Sequence, residues 1–353
     1  MLLPQNPYLP ISALAGIFNN TTATYKFYWF VALMDIVVKE RKTRISFWEI
    51  IAGMVAESWY PIHYFKLSFG KSDSLFSNSL EIQKEFQISI DSDKKKIKNQ
   101  LLDNIDSTKK FLRVFSLNVP YRFLSPWIKY TYDEDVVAKS QRFENGCLYA
   151  IYGDFIEMNP KWIDYLSEHY HILRDFAFWD LTDFLQKRNP NVPNVPSKLI
   201  KPIKRDSMTK QHKFWDSYIE SVGSTTCIYT NHRIFPKQYD LDHFVPWSFV
   251  THDLIWNLLP VDSNINSSKS NNLPSLDVYL KPLSRLHKDA LSVLYPQNPN
   301  NKIFEDYLTI YDSVPELIRL SDSDFYNVFY KTFSPLTQIA ENMGFQYWEK
   351  GNI

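Results

Sequence analysis

Cysteine is nearly missing from this chain: two residues, Cys147 and Cys227, stand among 353. Two cannot complete a four-cysteine zinc site and are too few for a disulfide scaffold, so the composition points to a reducing, cytoplasmic compartment. Net charge is missing as well, because 39 basic residues balance 39 acidic ones. A global cationic field is thereby excluded, and a nucleic-acid partner would have to be met by a local basic patch. The third absence is a membrane-length apolar run. The most apolar segment, "FYWFVALMDIVV" at 27–38, is too short to span a bilayer, carries Asp35 and reads as a buried helix. The N-terminal "MLLPQNPYLP" has neither the basic start nor the continuous apolar core of a signal peptide. The chain shows no internal repeat and no low-complexity tract.

What is present is a folded composition, 44% hydrophobic and 16% aromatic, in a chain long enough for two or three domains. Thr24 is a plausible N-cap for "YKFYWFVALMDIVVKE". Ser46 with Glu49 three residues on forms a capping-box pattern before "SFWEIIAGMVAESWY". Two helices this close read either as the core of a helical domain or as a helix-turn-helix module. The cluster Lys94, Lys95, Lys96 and Lys98 reads as a solvated helix face or a phosphate-binding one. Trp127, Trp162 and Trp179 are expected in a core over 120–185, with "CLYAIYGDFIEM" (147–158) as one or two strands. From 189, four prolines (Pro190, Pro193, Pro196, Pro202) forbid a regular helix and predict a linker. Its Lys198, Lys201, Lys204, Arg205 and Lys210 suit either a strap along a phosphate backbone or an ordinary solvated linker. The acids of 301–330 argue against contact with DNA there.

One stretch breaks the pattern. In "YDLDHFVPWSFVTHDLIWNLLPVDSNINSSKSNNLP" (239–274), Asp242, His243 and several Asn residues interrupt an apolar run, and burying them is costly without partners. "CIYT" (227–230) and "YDLDHFVP" (239–246) read as two strands around "NHRIFPKQ", and Pro246 ends the second. A loop then leads to Asn257. "DSNINSSKSNN" reads as a helix capped by Asp262 or Ser263, with Asn266 and Lys269 on one face. A hairpin followed by a helix would bring these polar groups together.

Such a set suits phosphodiester hydrolysis. A hard divalent cation such as Mg²⁺ (or Mn²⁺) takes oxygen ligands, and Asp242 and the Asn266 amide oxygen can supply them. His243, on the opposite strand face, can take a proton from the attacking water. Asn257 can fix the loop after His243. Lys269 reads as a phosphate contact or a solvated helix residue. His232 and His252 read as loop residues, and His63 as a packed or surface one.

The Asp242-His243 pair, Pro246, Ser248, Asn257 and "NSSKSNNLP" (266–274) together resemble an HNH endonuclease motif of the ββα-metal type. They are similar to the HNH domain of RNA-guided CRISPR effectors. The resemblance covers about 225–280. It implies His243 as general base, Asp242 and Asn266 as metal ligands, and Asn257 as the supporting catalytic residue. Many family members hold a structural zinc with paired cysteines, whereas Cys227 stands alone; packing by Trp247 and Trp256 would have to replace it. No guide-binding or second nuclease domain is evident, so the likeness does not extend to an RNA-guided mechanism.

The expectation is therefore an α+β protein, mainly helical, carrying a ββα-metal finger. A helical target- or partner-recognition domain (1–188) would be followed by a basic Pro-rich linker (189–215), the finger (216–281) and a helical C-terminal region (282–353). The expected activity is cleavage of DNA in restriction or anti-phage defence, with no membrane partner and with a protein partner encoded nearby. The alternatives are an RNA-cleaving nuclease or a non-catalytic nucleic-acid-binding or regulatory module.

Overall fold

The computed structural model describes residues 2–201 and 206–349. The chain divides into two compact units, Met1–Pro190 with Val195–Lys201, and Asn191–Asn194 with Pro202–Ile353. The architecture is mainly helical with small antiparallel sheets, an α+β arrangement. Among the described residues no helix is long and apolar enough to cross a membrane.

In the first unit the argument needs α1 (Tyr25–Lys39), β1 (Arg44–Ser46), α2 (Phe47–His63), α3 (Lys94–Asp103), β2 (Tyr149–Tyr152), β3 (Phe155–Met158) and α4 (Tyr170–Gln186). The capping box is present: the Ser46 hydroxyl accepts from the Trp48 N–H, and the Ser46 N–H donates to Glu49. Thr24 does not cap α1 with its side chain; its hydroxyl donates to Asp73 at 2.8 Å instead. Both α1 and α2 are apolar around most of their circumference, as helices buried on every side must be. Every residue from Ile50 to His63 is buried, so α2 offers no exposed face for a groove and the helix pair is core. The two helices cross closely at Gly53, where a Cβ would come within 2.9 Å of the Ala32 Cβ. The strands form one sheet in the order β1-β3-β2, with Gly153 (φ +58°) in the β2–β3 turn. Trp127 and Trp162 pack edge to face in the core, but Trp179 is 65% exposed and contributes nothing to it.

The second unit contains α5 (Thr209–Val222), β4 (Thr225–Thr226), β5 (Arg233–Ile234), β6 (Asp240–His243), β7 (Leu258–Val261), α6 (Ser263–Lys269), α7 (Leu276–Leu294) and α8 (Asp322–Asn342). Two expectations change here. α5 begins inside the expected linker, and its Phe214 and Trp215 join the core of this unit. The partner of β6 is not "CIYT" but β7, in the register Asp242↔Leu259 and His243↔Leu258. The short β4 and β5 pair only with each other. The hairpin is therefore β6–β7, and α6 follows it after Asp262, whose carboxylate accepts from the Asn264 N–H as the expected cap. Packing against the C-terminal helix holds this ββα unit. The Phe333 ring of α8 meets Phe244 at 5.0 Å and Trp256 at 5.5 Å, and Leu273 exchanges backbone hydrogen bonds with Gln346 and Trp348. Trp247 is only half-buried, whereas Trp256 is buried.

Candidate active site

Strand alternation sets the site. Asp240 and Asp242 lie on one face of β6, and His243 on the other. α6 packs on β6 and presents Asn266 and Lys269 one turn apart, with the Asn266 amide nitrogen 3.5 Å from an Asp240 oxygen. Lys269 is fully buried. Its ammonium lies 3.0 and 3.2 Å from the two Asp242 oxygens and 2.7 Å from the His243 carbonyl oxygen. Those contacts use all three of its donors, which is what a buried ammonium requires. Lys269 shares the face of Asn266, as expected, but that face looks inward: the ammonium meets Asp242 and is neither solvated nor open to a phosphate. Burial pushes the Asp242 carboxyl above the usual carboxylate range, and the Lys269 ammonium offsets this only in part. The Tyr229 hydroxyl, 3.4 Å from Asp242, completes this side.

The loop between β6 and β7 is closed at its base by Asn257, which is wholly buried. Its amide donates to the Val245 carbonyl and accepts from the Val245 N–H, both at 2.9 Å, while its own carbonyl accepts from Phe244 at 2.7 Å. These bonds fix the chain immediately after His243. Ser248 donates to Asn271 at 3.0 Å and ties the single turn Trp247–Val250 to the end of the finger. Thr251 (φ +55°) ends that turn in the left-handed region, at a cost on the order of 1–3 kcal/mol for a β-branched residue. The chain then turns back so that an Asp253 oxygen lies 2.7 Å from His243 Nε2. Sequence reasoning missed Asp253, and also Asp240 and Tyr229. The recurrence of acids around the Asp-His pair was the only signal for the two aspartates, and Tyr229 had none.

The donor set bears on whether a divalent ion fits. Asp240, Asp242 and Asn266 offer only oxygen, and among the described residues the Asn266 amide oxygen accepts no hydrogen bond. Among those residues no three His, Cys, Asp or Glu side chains cluster as a metal cage. This fits an ion of the Mg²⁺ type, which takes one or two protein ligands and keeps its waters. It does not fit a zinc centre.

The other expected contacts lie elsewhere. Lys201 belongs to the first unit, where its ammonium is 2.8 Å from the Asp91 carbonyl oxygen. Lys198 is buried over the Phe65 ring, and burial pulls its ammonium down to about 7, so it is no part of an open basic strap. Lys204 and Arg205 fall outside the described residues. His232 is exposed beside Asp262, while His63 is packed against Ser79. The His252 ring lies tilted against Trp256, centroids 5.3 Å apart.

Residues 227–275 match the family model of HNH endonucleases. No curated protein and no solved structure matches the chain. The match supports an HNH domain in the second unit and, with it, a nuclease acting on nucleic acid.

Proposed function

We propose that the protein is a metal-dependent endonuclease that hydrolyses phosphodiester bonds in DNA, with His243 as its general base. The observation that carries this reading is the imidazole of His243 on a pinned hairpin, back to back with the Asp242–Lys269 pair, inside the stretch that matches the HNH family. The oxygen of a water attacks phosphorus, His243 takes its proton, and the bond to the leaving oxygen breaks, with that oxygen protonated from solvent. Asn257 acts as the supporting residue that keeps His243 in place. Asp242 and Asn266, with Asp240 beside them, would hold Mg²⁺ or Mn²⁺. A bound ion would offset charge on the phosphate and the leaving oxygen. Lys269 lowers the charge of the Asp242 carboxylate without removing its oxygen donors. DNA contacts at Lys201, Lys204 and Arg205 belong to the same proposal, with Lys201 having to leave Asp91 to make one. Restriction or anti-phage defence is the setting such an enzyme would serve, alone or with a partner encoded nearby.

The test is cleavage of supercoiled plasmid with Mg²⁺ by wild type, His243→Ala and Asn266→Ala. Loss of the base should slow cutting by roughly 10²–10⁴-fold. Equal cutting by all three would refute the assignment. Labelled RNA digested in parallel decides the substrate, and DNA binding without nicking under any divalent ion would mark a non-catalytic module.

A further inference from the structure

His243 has two ring nitrogens, and the structure treats them differently. Nε2 lies 2.7 Å from Asp253 Oδ1, whereas among the described residues Nδ1 makes no hydrogen bond and the side chain stays 10% exposed. A carboxylate can only accept at ordinary pH, so the proton of the neutral ring belongs on Nε2. Asp253 is not a loose loop carboxylate. Its own carbonyl accepts from the Gln211 side chain at 2.9 Å, and two residues on the Ile255 N–H donates to Asp306 at 2.8 Å. Trp256 is fixed by its indole N–H to Thr309 at 2.9 Å, and Asn257 closes the loop on Val245. Helix α5, the segment Lys302–Thr309 and the hairpin thus converge to hold one carboxylate against one imidazole. The other charged groups about His243 are Asp242, its strand neighbour, and Lys269 of α6, which binds its carbonyl.

We propose that Asp253 is a positioning residue for His243: it accepts the Nε2–H, fixes one tautomer and leaves Nδ1 as the nitrogen that receives the proton of the attacking water. This rests on the nuclease reading above. An imidazole with Nε2 tied down cannot rotate that nitrogen toward substrate, so the direction of proton transfer is set by the loop. The chemistry resembles that of an aspartate that orients a catalytic histidine from behind.

The experiment uses the full chain labelled with ¹⁵N-histidine, with the His243 signals assigned by their loss in His243→Ala. In the wild type, the neutral ring should show Nε2 protonated and Nδ1 bare, and Asp253→Ala should give a mixture of tautomers. In plasmid cleavage, Asp253→Ala should lower kcat roughly 10- to 100-fold at unchanged KM. Asp253→Glu, which keeps a carboxylate that can only accept, should recover part of that loss, whereas Asp253→Asn, whose amide nitrogen can donate to Nε2 and invert the tautomer, should not. A wild-type ring protonated on Nδ1, or an Asp253→Ala protein with unchanged ring signals or undiminished kcat, would overturn the proposal. If Asp253→Ala collapses the signals of the other histidines, Asp253→Glu decides on the ring pattern alone: Nε2 protonated supports the proposal, Nδ1 protonated overturns it. If His243→Ala cuts like the wild type, the nuclease reading fails, while the ring pattern still judges the Asp253 contact.

Discussion

Each unit gathers charge around a buried carboxylate, and the two clusters are built to opposite balances. In the first unit, Glu57 of α2 is 5% exposed and receives the Lys94 ammonium at 2.6 Å and Arg174 of α4 at 3.7 Å. Asp35 of α1 pairs with the same Arg174 and with Lys39, and Tyr170 donates to it. Three cations face two carboxylates, and the pairs join α1, α2, α3 and α4. In the finger, one buried cation, Lys269, faces Asp242, with Asp240 and Asp253 close by. The first cluster is closed on itself and locks helices together. The second has carboxylate to spare, and its surplus oxygens can serve a cation and orient a base. Both clusters hold a buried carboxylate; what differs is the balance of charge around it.

Removing one cation from each cluster tests this directly. Lys269→Met should destabilise the second unit by about 3–5 kcal/mol, because it leaves Asp242 buried without a counter-charge. Arg174→Met should cost only about 1 kcal/mol, since Glu57 keeps Lys94 and Asp35 keeps Lys39. Urea unfolding of both variants reads the difference, and equal losses would erase the contrast.

A smaller effect separates the histidines. His63, packed against Trp59 and bonded to Ser79, is pulled by burial from 6.5 to about 4. The unfolded chain therefore binds a proton that the folded one refuses, so stability is complete above about pH 6.5 and falls as pH drops toward 4, by about 3 kcal/mol. His63→Gln should flatten that part of a stability-versus-pH profile. His287, bonded to Tyr307 and pulled down to about 3, adds a loss of the same sign in the second unit. Both are neutral histidines beside hydroxyls, unlike His243 beside a carboxylate.

A further effect concerns the hairpin base. Asn257→Ala strips Val245 of two buried hydrogen bonds and should cost about 2 kcal/mol. Plasmid cleavage should fall with it at temperatures where the variant stays folded. Unchanged cleavage would separate loop fixation from His243 function.

Much of this was legible in the sequence, for local reasons. The capping box at Ser46, the hairpin at 149–158 and the Asp262 cap depend on neighbours a few residues apart. The HNH resemblance was legible for another reason, the fixed order of polar residues from Asp242 to Lys269. Three features were not legible. β7 contains Pro260, which argues against a paired strand, and its pairing with β6 spans a 14-residue insertion that no local pattern encodes. Lys269 shares a face with Asn266, but periodicity cannot say whether that face looks out or in. Asp253 becomes a partner of His243 only because Thr251 turns the chain back, a left-handed conformation that a β-branched residue does not advertise.

The central claim is that the finger's surplus oxygens serve a divalent cation. Titration of the full chain with Mn²⁺, followed by electron paramagnetic resonance, tests it without depending on a substrate. The account predicts one bound equivalent in the wild type that is lost or severely weakened in Asn266→Ala, while Arg174→Met binds as the wild type does. Equal binding by wild type and Asn266→Ala would contradict it.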